Sequence, residues 1–442
     1  INQGTSFTFK GNVSIGDSVT IYVESGGELK FRDANCYWGK NSGIIVHNGT
    51  LTVNGGNWQS TDNTFLWNGI NAGETSNVNL NNLNISNAKN NFISNSNFYL
   101  TNCKIYVPAN SSSGFTLSNP SEGYETKIIN NESNKGFYGE SNQSGVGIRL
   151  RYIKNPVIIR GVNFNNLSTG IDKVANSTVR DSIDQCCFNN CEIGIDIISE
   201  KYLGSITDCL FNNNALNHKT LGIKLIGAIP HIEHCTFNNC GIFTEYSIMI
   251  PSTPEINSGI FDCHFNNSDY GIESRGSDLR LENNYFNSVN TCIICHSKSN
   301  LNLSKDANNV LNSKNSNIKF YDEHPYKSTI QLSNGHNDFY HQINNGITAC
   351  DFDFDENYTL VYSIDATRNW FQDNEVTFND SHYSNYVKVD SYDPEPNMPA
   401  PPLENIRLYT ALEYETQEMF DQAIQIYKDI LDNPLNEAEK KY

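Results

Sequence analysis

Six lines of this 442-residue chain nearly repeat one another: "GVNFNNLSTGID", "QCCFNNCEIGID", "DCLFNNNALNHKTLGIK", "HCTFNNCGIFTEYSIM", "DCHFNNSDYGIES" and "NNYFNSVNTCII". Their phenylalanines, Phe164, Phe188, Phe211, Phe237, Phe265 and Phe286, follow one another at 24, 23, 26, 28 and 21 residues. Looser lines precede them, such as "NCYWGKNSGIIV" and "GGNWQSTDNTFLW". A unit this short cannot hold the helix pairs of common α-repeats, and no helical apolar period runs through it. Each unit carries short runs of alternating apolar residues between Asn, Gly and Ser turns, for example Ile183, Cys186 and Phe188, then Ile195 and Ile197. Strands that cannot bury an apolar face alone, at nearly fixed spacing, describe the coils of a parallel β-solenoid.

Alignment on the phenylalanine brings other residues into columns. Cys186, Cys209, Cys235 and Cys263 each stand two residues before it, and Asn189, Asn212, Asn238 and Asn266 directly after it. A residue two before an inward ring is itself inward, so the cysteines read as a column of small buried groups. Zinc is disfavoured because a linear ladder cannot converge tetrahedrally. Disulfides between coils are the remaining alternative. The asparagines read as a stacked amide ladder at a turn, with a regular sugar-binding face as the alternative. The glycine of the Gly-Ile pairs, as in Gly194-Ile195, reads as a bend.

These lines resemble the repeat of the right-handed parallel β-helix proteins of pectin-lyase-like type, over roughly residues 10–375. The resemblance implies an all-β, right-handed parallel β-helix of about fourteen coils over residues 1–385. "VYSIDATRNWFQDN" resembles the closing coil of large secreted bacterial members, with Phe371 and Gln372 in place of the usual final Trp-Gly. Five prolines in "SYDPEPNMPAPPLE" mark a stiff linker over 386–403. Residues 404–442 form the one helical stretch, where Ala423, Tyr427 and Pro434 resemble half of a TPR motif. That segment is expected to cap the solenoid, or to contact another chain or a domain beyond Tyr442. The start at Ile1, with no charged-then-apolar leader, reads as a mature or trimmed product. The resemblance further implies an extracellular or cell-surface location, reached by the type IX secretion route.

The function classes follow from charge and from outward residues. Forty-nine Asp and Glu against 30 Lys and Arg give a formal charge of −19, which disfavours nucleic acid and anionic membranes as partners. No run reaches the ~20 apolar residues of a membrane span. Three before the phenylalanines, Asp208, His234 and Asp262 would place acid, base and acid on successive coils. Asp172 and Asp196, with Glu273 further along, follow Gly-Ile, and Lys224 and Met249 interrupt that column. Arg149 and Arg151, in "RLRYIK", form a basic spot able to meet an acidic sugar. Asp351, Asp353 and Asp355 fall on one strand face, and calcium is the one cofactor they leave open; the spacing departs from a calcium-binding loop at its sixth and twelfth positions.

Two functions compete. One is a non-catalytic extracellular or cell-surface protein: a structural rod, an adhesin or a carbohydrate-binding solenoid, its partner a polysaccharide or another surface protein. The other is a lyase or glycoside hydrolase acting on an acidic polysaccharide through outward carboxylates. The first leads, because the catalytic strings of the pectate lyases and polygalacturonase-like enzymes are not found.

Overall fold

The computed structural model describes residues 1–379 apart from several short stretches, the longest being 250–257 and 355–363, together with Val387–Lys388 and Lys428. The chain is an all-β parallel solenoid of about 12 turns rather than fourteen. Turn length varies along the chain, from 20 residues between the paired Asn77 and Asn97 to 34 between Asn317 and Asp351. The main sheet system runs parallel throughout, and the one antiparallel pair among the described strands is Ile343–Asn344 with Ile347–Thr348. Among these residues no helix is long and apolar enough to cross a membrane. The expected linker and TPR-like tail fall almost wholly outside the described residues. Val387–Lys388, expected in the linker, pairs in parallel with Ile364–Asp365.

A central turn has three strands. Ser182–Asp184, Cys187–Asn189 and Ile193–Ile198 lie one rung from Ser205–Thr207, Leu210–Asn212 and Leu221–Ile229. Alternation within each strand sends one set of side chains into a continuous core and the other outward. In the middle strands the rings of Phe164, Phe188, Phe211, Phe237, Phe265 and Phe286 stack at 4.7–4.8 Å, tilted by at most 7°. Each ring contributes roughly 2–3 kcal/mol through burial, with about 1 kcal/mol more from each aromatic contact. Phe371, one rung beyond Phe339, is fully buried and stacks on it at 4.6 Å.

The glycine column has a different cause from the bend expected. A Cβ at Gly194 would lie 2.5 Å from the Gly222 carbonyl oxygen and 2.7 Å from the Phe211 ring. The ring of the next turn therefore occupies the space that any side chain would need.

Bending falls to two corners whose residues take left-handed backbone. Gln185, Asp208, His234, Asp262 and Asn283 turn the chain between the first and second strands, with φ of 49–55°. Asn166, Asn190, Asn239 and Asn267 turn it between the second and third, with φ of 52–56°. Asn, Asp and His tolerate this region far better than branched residues, so the corners draw polar side chains whatever the surface does.

Directly after each first corner comes an inward donor. The Cys186, Cys209 and Cys235 thiols donate to the carbonyls of Asp184, Thr207 and Glu233 at 3.2–3.4 Å, and Cys263 to that of Phe261 at 3.2 Å. From Asn284 onward the same position holds asparagine. Asn284, Asn309, Asn337 and Asn369 bond amide to amide at 2.9–3.0 Å, deep in the core. All twelve cysteines are free.

Candidate functional site

The column expected from Asp172 and Asp196 exists on the outer face of the third strands. Its rungs run Arg149, Asp172, Asp196, Lys224, Phe243 and Glu273. Phe243, rather than Met249, precedes Glu273; Met249 pairs with Ile229, further along a long strand. Arg149 and Arg151 both reach the same oxygen of Asp172, at 3.1 and 2.5 Å. The basic spot is thus spent on a neighbouring acid. Lys224 lies 3.4 Å from Asp196, whose other oxygen is buried without a partner. Burial pushes the Asp196 carboxyl above its ordinary value, against the pull of Lys224. Burial acts on Glu273 in the same direction, but hydrogen bonds from His296 at 3.1 Å and Arg275 at 2.8 Å outweigh it and hold the carboxyl low. The face is a ribbon of mixed charge in which each acid is paired with a basic neighbour.

Asp208, His234 and Asp262 fall on successive first corners. Their N–H groups donate to the carbonyls of Glu233, Phe261 and Glu282 in the next turn at 3.0–3.2 Å. His234 Nδ1 lies 3.8 Å from the Asp208 carboxylate, and both side chains are more than half exposed. Glu233, which the sequence did not single out, ends the strand before His234. Its carboxylate converges with the His234 imidazole and the Asp262 carboxylate, their atoms all within 4.8 Å of one another. His231 also meets Glu233, at 3.1 Å. Behind this corner, burial holds the His264 imidazole below its ordinary value. The groups stand on a corner rather than in a cleft, without the enclosure that acid–base catalysis uses to orient a substrate.

Asp351 and Asp353 point apart. The Asp351 carboxylate is fully buried and accepts from Thr377 N–H, Thr377 Oγ1 and Asn317 at 2.7–3.0 Å. Asp353 pairs outward with Lys319 at 2.8 Å. Asp355 lies outside the described residues. Asp351 ties its own turn to the one before and the one after, a role that reading "DFDFDEN" as a simple alternation missed.

The Asn189, Asn212, Asn238 and Asn266 ladder forms as expected, each amide donating to the preceding one at 2.7–3.3 Å and Asn189 to Asn165 at 3.0 Å. A second outward ladder nearer the N-terminus was missed: Asn84 donates to Asn57 at 2.8 Å, Asn57 to Asn35 at 3.0 Å, and Asn35 to Asn12 at 3.2 Å. It ends in a shallow groove of about 360 Å³ lined by Asn57, Gln59, Asn84, Lys104, Tyr106 and Lys135. The Asn84 side-chain oxygen is buried there without a partner. The Lys104 ammonium sits 4.5 Å from the Tyr138 ring centre and 5.1 Å from that of Tyr106. Spacings of 22 and 27 residues along this ladder were the available signal, without a repeated phenylalanine line to mark it.

A buried ion pair also escaped notice. Lys173 occupies an inward position between Leu150 and Ile197, pairs with Asp181, and lies 5.0 Å from the ring centre of Tyr202, all three fully or almost fully buried. Asp181 also accepts the Val157 N–H at 2.9 Å.

No family model, curated protein or solved structure matches the chain.

Proposed function

We propose that the protein is a non-catalytic, carbohydrate-binding solenoid of the cell surface or extracellular space, and that the groove at the end of the Asn12–Asn84 ladder is its binding face. The groove supports this reading because it offers what a sugar uses: side-chain amides in a row and the ring of Tyr106 to lie against. Lys104 and Lys135 favour an anionic sugar on a chain whose overall charge is −19. The placement outside the cell rests on the resemblance of the repeat lines to secreted bacterial solenoids. The self-neutralised ribbon and the exposed corner favour binding over catalysis, since neither encloses a substrate against a poised acid and base.

Calorimetric titration with oligogalacturonate, oligoalginate and neutral cello-oligosaccharides tests this. The uronates are expected to bind, more weakly in Lys104→Ala and in Tyr106→Ala. Absence of binding to any glycan would sink the carbohydrate reading. Release of unsaturated or new reducing ends from pectate, alginate or chondroitin would overturn the non-catalytic one.

A further inference from the structure

The first-corner column explains Asp208, His234 and Asp262 one by one, because left-handed backbone favours such residues. It does not explain Glu233. That residue lies on the strand before the corner, where the adjacent turns carry Thr207 and Phe261. Yet its carboxylate reaches the same point in space as the His234 imidazole and the Asp262 carboxylate. Three carboxylates, counting Asp208 beside His234, thus gather around one ring on a corner tied to the following turn by main-chain hydrogen bonds. Among the described residues the cationic partners of Asp208 and Glu233 are imidazoles, at 3.8 and 3.1 Å, with no lysine or arginine in an ion pair with Asp208, Glu233 or Asp262. Mutual repulsion of these carboxylates is relieved by a bound dication.

We propose that Glu233, His234 and Asp262 form a surface site for one divalent transition-metal ion of the zinc, copper or nickel type, with Asp208 supplying a further oxygen. An imidazole nitrogen with carboxylates suits these borderline ions, whereas calcium takes oxygen donors alone. Metal–ligand bonds of about 2.0–2.2 Å require the side chains to draw inward from their present spacing. The backbone need not move, since the ligands reach out from corners, and for Glu233 from a strand end, that main-chain hydrogen bonds tie to the neighbouring turns. The ion would join Asp208, His234 and Asp262 across three successive turns, clipping the middle of the solenoid. The site lies in other turns than the groove and does not depend on it.

The test uses the whole chain, freed of metal with a chelator and titrated with zinc against a chromophoric competitor, then with cobalt while its absorption spectrum is followed. His234→Asn removes the imidazole but keeps a residue suited to the corner, so the fold is retained; Glu233→Gln removes a carboxylate outside the left-handed position. One equivalent of zinc is expected to bind, to raise the melting temperature, and to bind about 10- to 100-fold more weakly in either variant. Asp208→Asn is expected to weaken binding less. Failure of the native chain to bind zinc would overturn the proposal. So would unchanged affinity in His234→Asn, or a thiolate-to-cobalt charge-transfer band, which would assign the metal to the cysteines.

Discussion

Cys263 and Asn284 occupy the same inward position on successive turns, and the Asn284 side-chain oxygen accepts the Cys263 N–H at 3.1 Å. At this joint the cysteine column becomes an asparagine column. Both side chains serve one need: the corner leaves a carbonyl facing the core, and a buried acceptor without a donor is destabilising. Cys235 donates to Ile206 at 3.5 Å as Asn284 donates to Ile260 at 2.8 Å. The thiol is the weaker donor and packs as a small apolar group; the amide also bonds along the stack.

The two residue types should therefore exchange in one direction. Cys263→Asn extends the amide ladder by one rung and is expected to change stability by no more than ~1 kcal/mol. Asn309→Leu strands the Leu281 carbonyl and cuts the ladder between Asn284 and Asn337, at about 1–3 kcal/mol per stranded group. Urea unfolding midpoints measure both. A Cys263→Asn variant as damaged as Asn309→Leu would refute the shared role.

Glu273 and Asp196 should give opposite pH signatures. The Glu273 carboxyl is held below its ordinary value, so its stabilisation is present above the unfolded-state value of about 4.3 and is lost as pH falls through the folded-state value. Glu273→Gln should cost about 1–2 kcal/mol at pH 7, with the gap to the native chain closing on acidification. Asp196 is raised by burial, so its ionisation opposes folding as pH climbs from the unfolded-state value through the folded-state one. Asp196→Asn is expected to be neutral or stabilising at pH 7, and that difference too should shrink in acid. Melting temperatures between pH 3 and pH 7 check both signs.

The Lys173–Asp181 pair is open to a double-mutant cycle. Lys173→Met alone leaves the Asp181 carboxylate buried and should cost about 3–5 kcal/mol. Adding Asp181→Asn removes the orphaned charge and keeps an acceptor for the Val157 N–H, so most of that loss should return. If the double variant remains as unstable as the single one, the pair does more than satisfy its own charges.

The sequence showed most where one residue type recurs at one register. The phenylalanine stack, the inward cysteines and the Asn189–Asn266 ladder were legible because a ring must meet a ring about 4.8 Å away. The handover from cysteine to asparagine was not, because Asn309 precedes Val310-Leu311 and Asn337 precedes Asp338-Phe339, which breaks the repeated line. Phe243 was passed over for Met249 because Gly241-Ile242 follows Phe237 by four residues, where the repeated line has six. Of the candidate corner, Asp208, His234 and Asp262 were visible from their column. Glu233 was not, because its part comes from convergence in space. Lys173 escaped because a lysine in an alternating strand is ordinarily read as outward.

The outward asparagine ladders have a direction. Each amide in the Asn12–Asn84 and Asn165–Asn266 rows donates toward the N-terminal end, and each row finishes at an oxygen with no partner, on Asn84 and on Asn266. Amides aligned in this way add their dipoles as a helix adds those of its peptides, and the last oxygen becomes a negative pole. In the first row, the next rung beyond that pole is Lys104. The buried Asn84 oxygen, on the last of four stacked amides, thus lies beside the Lys104 cation, and pole and charge together give the floor of the groove a fixed polarity along the solenoid.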